Sequence, residues 1–395
     1  MPNTPTLTIN GLELPYWSSV TVDRSIDAVA DSFTIEYGNH EADPGGEINP
    51  LSFDGDEPVE IRLEDELLLT GYIDASQVAI STDGTTVSLS GNSKTVDLVS
   101  CPVMPPNDNL NEKTIESICR VLCKPFGIDV EVDEGSEAAA QTVLARFKAE
   151  FGEDVIDAIE RAAQYRGLVV SSAPNGNLRL GLSAASRIET EIRLPGNLLS
   201  VSVSRDARQR YSDYYVSNGA PSDIEPDEEG QASGTVAHVE DPGVSRHRPL
   251  HLEPNTGVSK QSQRVAQAEA ERNRRVGQSL VISGSMPGWK HSGGVWAPNT
   301  LVAVSIKKGP LKIEQEMVIT TARLVRDASS SKVELELVHP SALKPDDVPL
   351  PRRRRKRKKA ADPTVDQTEL EAEFGDLGDY AELGDSWTDA ETNPF

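Results

Sequence analysis

Between Leu7 and Cys101 apolar positions recur at every second residue, in short runs separated by turn residues. Val59, Ile61 and Leu63 alternate with Glu60, Arg62 and Glu64, and Asp65-Glu66 then turns the chain into Leu67–Tyr72. Val78 and Ile80 alternate next, Asp83-Gly84 supplies a hairpin turn, and Val87 and Leu89 alternate on its far side. A period of two puts one set of side chains into a core and the other into solvent. Residues 1–102 are therefore expected to form a first antiparallel β-barrel or sandwich domain.

After Pro105-Pro106 the period becomes helical. Asn111 stands as a cap for a helix in which Ile115, Ile118, Cys119 and Leu122 share one face, and Pro125 ends it. A second helix is predicted over about Glu153 to Arg166, with Val155, Ile159, Ala162 and Ala163 on its apolar face and Gly167 as its stop. Leu168–Ser172, the Asn175-Gly176 turn and Leu178–Leu182 form a hairpin, so residues 103–185 read as an α+β module. Alternation returns at Leu199, Val201 and Val203 and at Tyr211–Val216, before an acidic Gly/Pro stretch, Pro221–Gly234, expected as an exposed loop. A polar helix over about Ser259 to Val276 precedes strands at Leu280–Ser283, Leu301–Ile306, Glu316–Val325 and Lys332–Val338. Residues 186–345 thus read as a second β-barrel domain, and β regions on both sides of a helical module suggest a duplicated barrel. The fold class is mainly β with an α+β module.

Length and charge sharpen this picture. A chain of 395 residues exceeds what one core supports, so two to four domains are expected. A formal net charge of -24 argues against general nucleic-acid affinity, which needs clustered Lys and Arg. The exception is the basic run Arg352, Arg353, Arg354, Arg355, Lys356, Arg357, Lys358 and Lys359, a candidate contact for nucleic acid or another anionic surface. An acidic segment, Asp362–Phe395, follows it, and residues 346–395 are expected as a flexible charged tail.

Candidate chemistry is sparse. No apolar run reaches membrane-helix length and no signal pattern opens the chain, which reads as cytoplasmic. Three cysteines, Cys101, Cys119 and Cys123, are too few for a disulfide framework, and Cys119 and Cys123 overlap an apolar helix face. His247 and His251 are spaced like helical metal ligands, but Pro249 between them denies the helix, so they read as loop histidines. Trp17, Trp289 and Trp296 stand beside turn residues and suit packing or subunit contacts. No nucleophile elbow, P-loop or dinucleotide fingerprint occurs, and no catalytic, metal or cofactor residue is assigned.

An ordered set of short strings resembles the Mu-like baseplate hub family, related to the phage late control D proteins. The strings are Trp17–Asp27 followed by Ser32-Phe33, Thr70–Asp74, Gly91–Val99, Ala163–Leu168, Gly176–Leu178, Arg210–Ser212, Asp241–Val244, Arg248–Leu250, Asn273–Gly277, Gly288-Trp289, Trp296–Asn299 and His339-Pro340. Within them the residues that carry the pattern are Trp17, Arg24, Asp27, Gly71, Tyr72, Asp74, Lys94, Asp97, Arg166, Gly167, Trp289, Trp296, Pro298 and Asn299. Asn92 departs from the arginine of the pattern, and the basic run lies outside it.

The resemblance implies a homotrimer in which each chain gives two similar β-barrels, so that three chains make a ring of six. It implies that about residues 221–277 are inserted into the second barrel. It further implies a structural hub of a contractile phage tail baseplate, assembled in the bacterial host cytoplasm and built into the virion tail. That hub would contact the sixfold tail tube protein, the threefold central spike protein and other baseplate subunits, with DNA only as transiting cargo and no membrane in the assembled particle before infection. Alternative readings are the hub of a tailocin or type VI-like injection system, a tail-associated cell-wall hydrolase, and a DNA-binding protein acting through Arg352–Lys359.

Overall fold

The computed structural model describes residues 4–14, 16–38, 55–82, 84–106, 109–184, 186–217, 236–254 and 261–343. The N-terminal alternation folds as β1 (Pro5–Ile9), β2 (Leu12–Glu13), β3 (Ser19–Ser25), β4 (Ser32–Gly38), β5 (Pro58–Leu63), β6 (Glu66–Ser81) and β7 (Gly84–Ser93). Val20, Val22, Ile35, Val59, Ile61 and Leu63 point inward and are fully buried, as the period of two requires. The two runs at Leu67–Tyr72 and Val78–Ile80 are one continuous strand, β6. An extra residue, Asp74, is accommodated as a bulge opposite β7, which bends the strand without ending it. Its first half pairs with β5 and its second half with β7.

The C-terminal β region comprises β13 (Ser186–Leu194), β14 (Ser200–Arg205), β18 (Leu280–Pro287), β19 (Lys290–His291), β20 (Gly294–Val295), β21 (Thr300–Lys308), β22 (Leu311–Asp327) and β23 (Ser331–Val338). It repeats the strand order of the first region, with matching registers at the pairs compared below. Strand β22 is again long and bulged, now at Thr320, and pairs with β21 through one half and β23 through the other. The pair Ile73–Gly91 has Ile319–Leu337 as its counterpart, Val22–Phe33 has Val203–Ile282, and Val59–Gly71 has Val302–Met317. The order β3-β4-β7-β6-β5 thus recurs as β14-β18-β23-β22-β21. The next strand differs, since β1 runs antiparallel to β5 whereas β13 runs parallel to β21.

The expected two barrels are not separate. Strand β3 pairs along Thr321–Asp327 of β22, which joins both lobes into one thirteen-stranded sheet with a common core. No closed sheet occurs among the described residues.

Between the lobes lie α1 (Val96–Ser100), β8 (Lys113–Thr114), α2 (Ile115–Cys123), β9 (Val130–Val132), α3 (Glu137–Ala140), β10 (Val143–Leu144), α4 (Val155–Gln164), β11 (Leu168–Ser172) and β12 (Leu178–Leu182). Helix α2 is capped by Thr114, whose Oγ1 accepts from the Ser117 N–H at 3.1 Å. Asn111, the expected cap, instead accepts from the Phe147 N–H, because Lys113-Thr114 first pairs with β10. Ile118, Cys119 and Leu122 meet Ile159 and Ala162 in a core of their own. Burial pushes the Cys123 thiol up to about 12 and that of Cys119 higher still, so neither is a thiolate at neutral pH.

A small unit is inserted between β14 and β18. Its strands are β15 (Asp213–Val216), β16 (Ala237–Glu240) and β17 (Pro249–Leu252), and α5 (Gln261–Gln278) covers them. Tyr211–Val216, expected as part of the second barrel, supplies the central strand of this separate sheet, because Tyr214 and Val216 bury against Ala268 of α5. The insertion therefore begins earlier than residue 221. The Pro221–Gly234 segment, Asp83 and the tail from residue 344 lie outside the described residues.

Candidate assembly interface

The junction between the lobes is built around a buried charge pair. Arg24, opposite Ala322 of β22, approaches Asp31 at 3.5 Å (Nε to Oδ2), with side-chain exposures of 7% and 4%. Burial pushes the Asp31 carboxyl up to about 6, although the Arg24 charge and the Ser25 backbone N–H pull it down. The Asp31 N–H donates to Ser93 Oγ, Ser93 Oγ shares a 2.8 Å hydrogen bond with Thr95 Oγ1, and Thr95 donates to the Val29 carbonyl. Arginine was legible as a motif residue. Asp31 was not, because it sits in a turn with no periodic signal, and only the need of a buried guanidinium for a counter-charge points to it.

The remaining motif residues are mostly struts. Gly71 and Gly91 let β6 and β7 cross closely: a Cβ on either would lie 1.9 Å from a backbone carbonyl, that of Asn92 or of Tyr72. Asn92 donates to Asp74 at 2.6 Å, so an amide here meets the carboxylate of the bulge residue. The Lys94 side chain lies against Gly176, at the turn of the α+β module, and its N–H donates to Thr70. Asp97 lies in the first turn of α1, and Arg166 donates to Thr142 at 3.0 Å. Gly167 ends α4 with a φ of 59°. Trp17 is partly buried against the common core, Tyr72 pairs with Asn92 and Asp27 is exposed.

Trp289 and Trp296 are almost fully buried in the second lobe, and the Trp289 indole N–H donates to the Val325 carbonyl at 3.0 Å. The short β19–β20 hairpin beside them reaches the β5–β6 turn of the first lobe, where Lys290 ion-pairs with Glu64 and the Val295 N–H donates to Glu66. After Pro298, Asn299 adopts a left-handed φ of 60°, accepts from the Ala184 N–H and donates to the Leu182 carbonyl. It thus clamps the end of the module to the second lobe. Asn299→Ala is expected to lose both bonds and meet the left-handed penalty, lowering stability by about 2 kcal/mol. Asn299→Gly should lose less, and urea unfolding of both variants checks the difference.

His247 and His251 do not come together as a site. His247 is exposed, 4.0 Å from Asp213, while His251 Nε2 bonds Ser217 Oγ and lies in strand β17 with Pro249 at its start. Among the described residues, Asp213, His238 and Glu240 do place three donor atoms within 4.8 Å of one another. His238 Nε2 meets Asp213 Oδ1 at 2.9 Å and its ring stacks on Tyr215. Burial raises the Asp213 carboxyl, but hydrogen bonds from Ser212 and His238 outweigh it and hold the group below its ordinary value. Arg352, Arg353, Arg354, Arg355, Lys356, Arg357, Lys358 and Lys359 lie outside the described residues. No described helix is long and apolar enough to cross a membrane.

The fold built by these elements matches that of phage tail proteins. The chain superposes on the 43 kDa tail protein of prophage MuSo2 from Shewanella oneidensis with a TM-score of 0.72, at 26% identity, covering 86% of this chain and 98% of that one. It shares its fold with the tail protein from Neisseria meningitidis MC58, with a TM-score of 0.70 at 19% identity over 88% of this chain and 100% of that one. Residues 5–93 match the family described as Mu phage baseplate assembly protein GpP-like, N-terminal, and residues 95–182 match the second domain of baseplate hub protein gp44-like proteins. Sequence identity to the baseplate hub protein gp44 of Escherichia phage Mu is 30% over 346 residues, 85% of this chain and 88% of that protein. The chain belongs to the Mu gp44-like family of phage tail baseplate hub proteins.

Proposed function

We propose that three copies of this chain form the hub ring of a contractile tail baseplate. Each copy contributes two equivalent β lobes, so the ring offers six similar units to a sixfold tail tube on one face while keeping threefold symmetry toward a central spike. The observation that carries this reading is the recurrence of the strand order β3-β4-β7-β6-β5 as β14-β18-β23-β22-β21. A threefold assembly of singly built chains could not match a sixfold partner at every position. The tail tube, the spike and other baseplate subunits are the partners, and the hub belongs to the virion tail baseplate after assembly in the host cytoplasm.

The hub acts by surfaces and strand edges, and no reaction is assigned to it. DNA would pass through its centre as cargo. A net charge of -24 fits that role, since each Lys or Arg on a channel wall adds a phosphate contact that slows passage. Light scattering of the purified chain, alone and mixed with its spike, is expected to give the mass of a trimer. A monomer under both conditions would sink the reading, and a reconstructed ring whose lumen is lined mainly by Lys and Arg would overturn the passive channel.

A further inference from the structure

We infer that β14 of one copy adds, antiparallel, to the open edge of β6 in the next copy, placing Val203 opposite Val78 and Val201 opposite Ile80. The inference rests on the ring reading above and names the edges that close it. Inside the chain, β3 fills one edge of β22 along Thr321–Asp327. There Val20, Val22, Ala322 and Leu324 are fully buried. By the repeat, the counterpart of that filled edge is the second half of β6, and the counterpart of β3 is β14. Among the described residues neither counterpart is filled: no strand pairs with the other edge of β6 beyond Ile73, and β14 pairs with β18 alone. Both strands of the internal junction therefore have counterparts, split between the two ends of the chain.

Exposure and composition agree with this. Ile80 is 80% exposed and Leu199, leading into β14, is 64% exposed, while Val78, Val201 and Val203 are only partly covered, unlike their buried counterparts Leu324, Val20 and Val22. Proteins blunt an unpaired strand edge with charges or proline, because its free backbone groups otherwise pair with another chain. The outer strand β13 is blunted in this way, by Arg187, Glu189, Glu191 and Arg193. Ala75–Ile80 and Ser200–Ser204 carry no charge and no proline. They are left able to pair. The two edges differ, so each copy donates one and receives one, and head-to-tail contacts of this kind close into a ring.

The register copies the internal one. Leu324 faces Val22 and Arg323 faces Asp23, so Val78 should face Val203, and Gln77 should face Ser204, across copies. Successive antiparallel pairs have Cα separations of about 4.5 and 5.5 Å, both inside disulfide range.

The test uses the full chain carrying Cys101→Ser and one cysteine pair, either Val78→Cys with Val203→Cys or Gln77→Cys with Ser204→Cys, under mild oxidation. Covalently linked trimers on a non-reducing gel are expected, about tenfold more abundant than from an off-register pair, Gln77→Cys with Val201→Cys. If light scattering gives a trimer but neither designed pair links, or the off-register pair links equally, the edge pairing is wrong while the ring reading stands. Links formed only within one chain also refute the pairing. A chain that never assembles overturns both.

Discussion

Gly91→Ala is expected to be among the most damaging single substitutions in the first lobe, at a cost of about 3 kcal/mol or more. Its new Cβ would sit 1.9 Å from the Tyr72 carbonyl oxygen and under 3 Å from the Phe33 ring. The carbonyl is backbone within the β6–β7 ladder, so relief requires the strands to separate, which breaks hydrogen bonds on both sides of the bulge at Asp74. Gly71→Ala should behave alike, because its Cβ meets the Asn92 carbonyl from the partner strand. Gly284→Ala is the informative contrast. Its nearest neighbour is the tip of the Leu198 side chain at 2.8 Å, which can turn away, so a loss of about 1 kcal/mol or less is expected. Urea unfolding of the three variants measures this, and a Gly91→Ala protein as stable as Gly284→Ala would show that the crossing is not tight.

Arg24→Met should cost about 3 to 5 kcal/mol at pH 7, because it strands the Asp31 carboxylate in the junction with no counter-charge. The loss should shrink on acidification, for a reason of sign. The Asp31 carboxyl titrates near 6 in the folded chain against an ordinary 3.8, so the folded state holds a proton that the unfolded state has released. Its contribution is fully present below 3.8 and is lost as pH rises through 6. Without Arg24 the carboxyl climbs further, which extends that window upward. The unfolding free energies of Arg24→Met and the parent chain should therefore draw together as pH falls toward 6 and keep a constant difference below it, where the carboxyl is protonated in both folded chains. Adding Asp31→Leu to Arg24→Met should recover most of the stability at pH 7, since an apolar pair removes both buried charges. A deficit independent of pH would mean that lost packing of the arginine stem, and not charge, accounts for the effect.

Much of the local structure was written in the order of residues. A period of two located β5, β6, β7, β14, β18, β21, β22 and β23, the spacing of Ile115, Ile118, Cys119 and Leu122 located α2, and Asn175-Gly176 located its hairpin, because these choices depend on neighbours a few positions away. The ordered strings from Trp17 to Pro340 pointed to the family for a related reason. Residues such as Gly71, Gly91, Lys94 and Asn299 sit where a backbone crossing or a clamp tolerates few alternatives.

Tertiary structure alone decided how these pieces join. The alternation could not show that Leu67–Tyr72 and Val78–Ile80 are one bent strand, since a bulge inserts one residue without a signature of its own. Nor could it assign Tyr211–Val216 to the inserted sheet, because an apolar-alternating segment suits any sheet with a free edge and a covering helix. The joining of β3 to β22 was hidden for the same reason: backbone hydrogen bonds are chemically identical in every strand, so they hold a sheet together without naming a partner. Which edges meet is set by side chains that lie hundreds of residues apart in sequence and touch only once the chain has folded, as Val22 and Leu324 do across the junction of the two lobes.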